Sequence, residues 1–154
     1  MKFGEAIDSV LLKNYFNLDG KATRSEYWWF CLFFCLSLFI FAIFTGITFG
    51  IAAALTGLPE TAAVTAVEYS MLGLIAVFFL PLLGVTVRRF ADAGRGKREA
   101  IVIFVLAFIS GLIAPMGDEA GAIIQVPEFF SIPALLVYGV TCLYTLYIAL
   151  KKSV

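Results

Sequence analysis

The sequence predicts an all-α membrane protein: a bundle of four transmembrane helices, an N-terminal amphipathic interfacial helix, and both termini in the cytoplasm. Three observations predict it. Of the 154 residues, 62% are hydrophobic and 14% are charged, where a soluble domain carries roughly 25% charged residues. Four charge-free stretches divide the chain, at residues 27–59, 69–87, 100–117 and 129–150. The segments between them alternate in sign. The 11 Lys and Arg fall in the N-terminal arm (Lys2, Lys13, Lys21, Arg24), the second connection (Arg88, Arg89, Arg95, Lys97, Arg98) and the tail (Lys151, Lys152). The first and third connections carry only acids: Glu60, Glu68, Asp118, Glu119 and Glu128. This positive-inside pattern puts both termini in the cytoplasm. The net charge of zero conceals the asymmetry.

The arm, residues 1–26, comes first. Phe3, Ile7, Val10, Leu11, Tyr15 and Leu18 recur at helical spacing, with Lys2, Glu5, Asp8, Ser9, Lys13 and Asn17 opposite. This reads as an amphipathic helix over residues 1–20, stopped by Gly20. It lies either on the inner membrane surface or against the bundle. The arm is too long and too mixed in charge, and the apolar run behind it too long, for a cleavable signal peptide. Thr23-Arg24-Ser25-Glu26 is a capping box that starts the next helix. Tyr27, Trp28 and Trp29 follow where an interfacial aromatic belt would sit.

Span one covers residues 28–55, about 42 Å at 1.5 Å per residue. It exceeds the roughly 30 Å hydrocarbon core, so it tilts or projects. Ala42, Gly46, Gly50 and Ala54 form a small-residue face that permits close approach of a helix, from this chain or a second copy. Span two, residues 69–87, contains Pro81, which removes a backbone hydrogen bond and favours a kink. Leu58-Pro59-Glu60 offers an earlier start, with Pro in the first turn. Span three, residues 100–117, is just long enough to cross. Span four, residues 129–150, has Pro133 in its first turns. Tyr138, Thr141, Cys142 and Thr145 form a polar stripe facing the bundle, their hydroxyls meeting backbone carbonyls or cross-helix partners. Residues 118–128, with Ile123, Ile124 and Val126, could form a small apolar lid. The whole chain is one membrane domain.

Chemistry has little to work with. The chain has no His, which removes an imidazole base, a Ser-His-Asp set and the usual zinc site. Cys31, Cys35 and Cys142 lie within spans and read as small packing residues. No charge lies in a span core, which argues against an intramembrane proton or ion relay. The expectation is a non-enzymatic protein with no cofactor and no metal. Two basic segments, residues 19–30 and 88–96, lie at the same membrane face. There Arg24 and Glu26 could pair with Asp92 and with Arg88 or Arg89.

The same segments carry a resemblance. The G-[RK]-x-[ST]-R-x-E-[YF]-W-W element at residues 20–29 and the V-R-R-[LF]-x-D-x-G-R element at residues 87–95 resemble signatures of a bacterial inner-membrane family. It is domain-of-unknown-function family 805, which includes the YhaH-like proteins. The resemblance implies a small polytopic membrane protein without an established reaction. Two departures stand out. Ala91 replaces a usual His, and residues 94–99 read G-R-G-K-R-E where the family tends to G-R-S-G-W-W. The expected function is a membrane interaction or accessory protein. Its binding cluster is Arg24, Glu26, Arg88, Arg89, Asp92 and Arg95, with arginines on phosphate or carboxylate and acids holding them. Expected partners are anionic headgroups of the inner leaflet, a protein, or a second copy; no nucleic acid is expected. The alternative is a small transporter or channel subunit using the Pro81 kink and the Tyr138/Thr141/Thr145 stripe.

Overall fold

The computed structural model describes residues 1–113 and 128–152; the expected lid at residues 118–128 lies almost wholly outside them. No strand occurs among the described residues. A short helix α1 (Phe3–Ile7) continues as a π-helical turn (Asp8–Lys13). Four longer helices follow: α2 (Arg24–Thr56), α3 (Glu60–Asp92), α4 (Lys97–Ile113) and α5 (Glu128–Leu150). Among the described residues, three segments are long and apolar enough to cross a membrane: α2, α3 and residues 132–150 of α5. α4 has 17 described residues, about 25 Å of helix.

Packing concentrates at one end. Val10, Ala22, Tyr27, Phe30, Phe78, Val85 and Ala149 make one buried cluster. Val87, Phe90, Ala93, Ala100 and Ile148 make a second. Away from this end the helices expose apolar surface: only 11% of the most apolar 18-residue window of α2 is buried. Such a surface is stable only against another apolar phase.

The arm corrects the sequence reading. Its helix ends at Lys13, not at Gly20. Asn14 explains the stop, because its side-chain amide donates to the Ser9 carbonyl at 2.9 Å and competes with the next helical turn. Asn17 then donates to Asn14 Oδ1 at 2.8 Å and accepts from Asp19 N at 2.9 Å, winding the chain through side-chain turns. Gly20, at φ +94°, is a turn residue rather than a helix cap. Ala6 and Val10 are fully buried, so the helical part packs on the bundle. Leu12 and Phe16 remain outward. Asp8, 2.6 Å from Lys13, raises the lysine's pKa by accepting its hydrogen bond.

The rest of the arm lies along α3. Pro81 has no N–H, so the Val77 carbonyl one turn earlier loses its helical donor. The Tyr15 hydroxyl donates to that carbonyl at 2.6 Å. Gly84 lets the arm backbone approach, since a Cβ there would sit 3.2 Å from the Asn17 carbonyl oxygen. Ala22 N then donates to the Arg88 carbonyl at 3.1 Å.

α3 also departs from its expected limits. It begins at Glu60, with Pro59 as N-cap instead of inside the first turn. It runs past Val87 through Arg88, Arg89 and Asp92. A charge-free stretch marks where a helix can lie in lipid, not where helical hydrogen bonding stops. Gly94, at φ +78°, makes the turn into α4.

Candidate functional site

Three sequence-distant segments converge at the packed end: the start of α2, the end of α3 and the end of α5. The start of α2 is set by Thr23, whose hydroxyl accepts from Glu26 N at 3.2 Å. This is one half of the expected capping box. The Glu26 carboxylate reaches across the fold instead. Its Oε1 accepts from Ser9 Oγ and from Arg88 Nη1, both at 3.0 Å. A carboxylate in the first turn also suits the positive end of the helix dipole.

The adjacent arginine has a different task. Arg89 Nη1 pairs with Asp92 one turn along α3. Arg89 Nη2 donates to the Ala149 carbonyl at 3.1 Å and also to the Lys151 carbonyl. Arg24 Nε, from α2, donates to that same Lys151 carbonyl at 3.0 Å. Lys151 Nζ returns a hydrogen bond to the Ala93 carbonyl at 3.1 Å. The ends of α3 and α5 therefore cap each other with side chains. Each end has carbonyls without a helical donor, and cations are favoured there by the dipole.

The structure brings Arg24, Glu26, Arg88, Arg89 and Asp92 to one end of the fold. Glu26 pairs with Arg88, and Arg24 donates to the Lys151 backbone carbonyl. Arg88 and Arg89 are 4% and 1% exposed, and Glu26 and Asp92 are 4% and 6% exposed. In this conformation neither buried arginine can touch a phosphate outside the protein. Arg24 is half-buried and Arg95 exposed. Arg95 lies 3.7 Å from Glu99 in a partly exposed i,i+4 pair. Burial of Arg88 is incompletely compensated: its Nε and Nη2 have no hydrogen-bond partner, nor has Arg89 Nε.

Ser9, Lys151 and the carbonyls of Ala149 and Lys151 were missed from sequence. Lys97 also pairs with Asp19 across the arm, and the Tyr144 hydroxyl meets Glu99. A charged residue just past the last apolar run was the available signal for Lys151. Backbone acceptors have no residue-type signature.

The other sequence candidates fall outside this site. Ala42, Gly46, Gly50 and Ala54 are exposed, and a Cβ at Gly46 or Gly50 would meet nothing within 4 Å. Gly46, Gly50 and Ala54 border a cavity of about 570 Å³ that also reaches Glu60 and Val67. Among the described residues, no helix of this chain closes on those two glycines. On α5, Thr141 Oγ1 donates to the Val137 carbonyl at 2.8 Å and the Tyr138 carbonyl at 2.9 Å. Thr145 Oγ1 donates to the Thr141 carbonyl at 2.8 Å. These hydroxyls serve their own helix. Cys31 is half-buried and Cys142 exposed. Among the described residues no group of three His, Cys, Asp or Glu could hold a metal ion.

A model of the family described as "Protein of unknown function (DUF805)" matches residues 15–151. The chain is 35% identical over 103 residues to inner membrane protein YhaI of Escherichia coli strain K12, covering 67% of this chain and 74% of that one. The same figures hold for inner membrane protein YhaI of Escherichia coli O157:H7. No solved structure matches the chain. An all-helical membrane protein with its charged signatures gathered at one packed end, this chain belongs to the DUF805 family.

Proposed function

We propose that this is a non-enzymatic accessory protein of the inner membrane. It crosses four times with both termini in the cytoplasm and binds anionic headgroups at its basic end. The observation that carries this reading is the division within the cluster. Glu26, Arg88, Arg89 and Asp92 are turned inward and hold the helix ends together. Arg24 is half-buried, and Lys21, Arg95 and Arg98 are exposed around them. Each basic residue near an anionic leaflet contributes about 1 kcal/mol of attraction. The first and third connections, at the other end of the plan, carry five acids and no Lys or Arg, which keeps the two faces electrostatically distinct.

Native mass spectrometry of protein released gently from its own membrane tests this. Wild type should carry anionic phospholipid in preference to zwitterionic lipid. The Arg24→Gln, Arg95→Gln variant should lose that preference while remaining folded, with the helical content of wild type by far-ultraviolet circular dichroism. Equal adducts on both proteins would refute the headgroup assignment, and a bound polypeptide of defined mass would replace lipid with a protein partner.

A further inference from the structure

Arg24 and Arg89 come from different helices and aim at one acceptor. Arg24 Nε donates to the Lys151 carbonyl at 3.0 Å, and Arg89 Nη2 donates to the same oxygen. Arg89 Nη2 also donates to the Ala149 carbonyl at 3.1 Å. Two guanidinium groups therefore share one neutral backbone oxygen at the negative pole of α5. Asp92 brings a formal negative charge to Arg89, but Lys151 brings a third cation. Arginine forks match phosphate geometry, and charged acceptors form stronger bonds than neutral carbonyls. The C-terminal carbonyls stand where the oxygens of an oxyanion would. Arg89, at 1% exposure, becomes reachable only when that end of the chain moves.

We propose that Arg24 and Arg89 form a phosphate-type anion site that the chain's own C-terminal end occupies, so that ligand binding requires release of Lys151. The proposal rests on the headgroup reading above and adds the site and its gate. The Lys151 ammonium on the Ala93 carbonyl is the latch. The observed affinity of such a site is its intrinsic affinity reduced by the fraction of molecules that are open.

The test inserts two glycines between Leu150 and Lys151. The insertion keeps every charge and moves the Lys151 carbonyl and ammonium off their partners. Purified, delipidated protein in neutral detergent is titrated with short-chain phosphatidylglycerol, and in a separate arm with inorganic phosphate. The insertion should bind at least about fivefold tighter than wild type, the population factor of any one of the three hydrogen bonds it removes. Adding Arg24→Gln to the insertion should abolish the gain. A gain with lipid alone assigns the site to a headgroup; the same gain with inorganic phosphate assigns it to the free anion. Equal affinity of wild type and insertion overturns the gate but leaves headgroup binding standing. No binding by any form overturns both. Should the insertion fail to give a monodisperse helical protein, Lys151→Gln at high salt replaces it. There the lost surface charge is screened, and tighter binding than wild type is again required.

Discussion

Breaking the Glu26–Arg88 pair from one side should be far worse than removing it altogether. Arg88 Nη1 lies 3.0 Å from Glu26 Oε1, with side chains 4% and 5% exposed. At that distance, and an effective dielectric of about 20, the Coulomb attraction is roughly 5 kcal/mol. Desolvation of two nearly closed ions offsets most of it. Arg88 also carries two buried nitrogens, Nε and Nη2, without acceptors, each a further burden of about 1–3 kcal/mol. The pair thus contributes little net stability, but its halves are costly alone. Arg88→Met leaves a buried carboxylate with Ser9 as its remaining donor, and Glu26→Leu leaves a buried cation. Each should destabilise by about 3–5 kcal/mol. The double variant should lie within about 1.5 kcal/mol of wild type, because Ser9 Oγ then loses its acceptor while the buried charges vanish. Unfolding in mixed micelles, followed by far-ultraviolet circular dichroism as the denaturing detergent fraction rises, measures all four proteins. Single variants within about 0.5 kcal/mol of wild type would refute the reasoning. So would a double variant that loses the sum of the two singles.

Three further outcomes follow from the same geometry. Tyr15→Phe should destabilise by about 1–3 kcal/mol by orphaning the Val77 carbonyl; Pro81→Ala in that background should restore most of the loss by returning the helical N–H, and no recovery would sink the idea. Gly84→Val should cost about 1–3 kcal/mol through overpacking against the Asn17 carbonyl, with faster hydrogen exchange confined to residues 14–22. Asp19→Asn removes the exposed partner of Lys97 and should change stability by less than about 1 kcal/mol, with the difference vanishing at high salt.

The helices were legible because lipid and water impose opposite compositions, and that contrast is visible at every span. Their ends were less so. Arg88, Arg89 and Asp92 looked like a loop because charge was equated with water. Ion pairs and carbonyl caps let them finish α3 inside the protein. The arm misled in the other direction. Phe3, Ile7, Val10, Leu11, Tyr15 and Leu18 fit one helical stripe, yet Tyr15 belongs to α3 through the carbonyl that Pro81 frees. Helical periodicity reports which residues are buried, and a chain turning through a groove can bury the same ones. The Glu26–Arg88 contact was within reach of sequence because opposite charges shared a membrane face. The Lys151 carbonyl was not, since its role comes from where α5 ends.

Cysteine accessibility in living cells tests the membrane layout most directly. With the three native cysteines replaced by alanine, single cysteines are placed at Glu60, Arg95, Asp118 and Lys152. A membrane-impermeant maleimide should label Glu60→Cys and Asp118→Cys in intact cells. Arg95→Cys and Lys152→Cys should react only after permeabilisation. Labelling of Lys152→Cys or Arg95→Cys in intact cells would place basic residues outside and contradict a single cytoplasmic basic end.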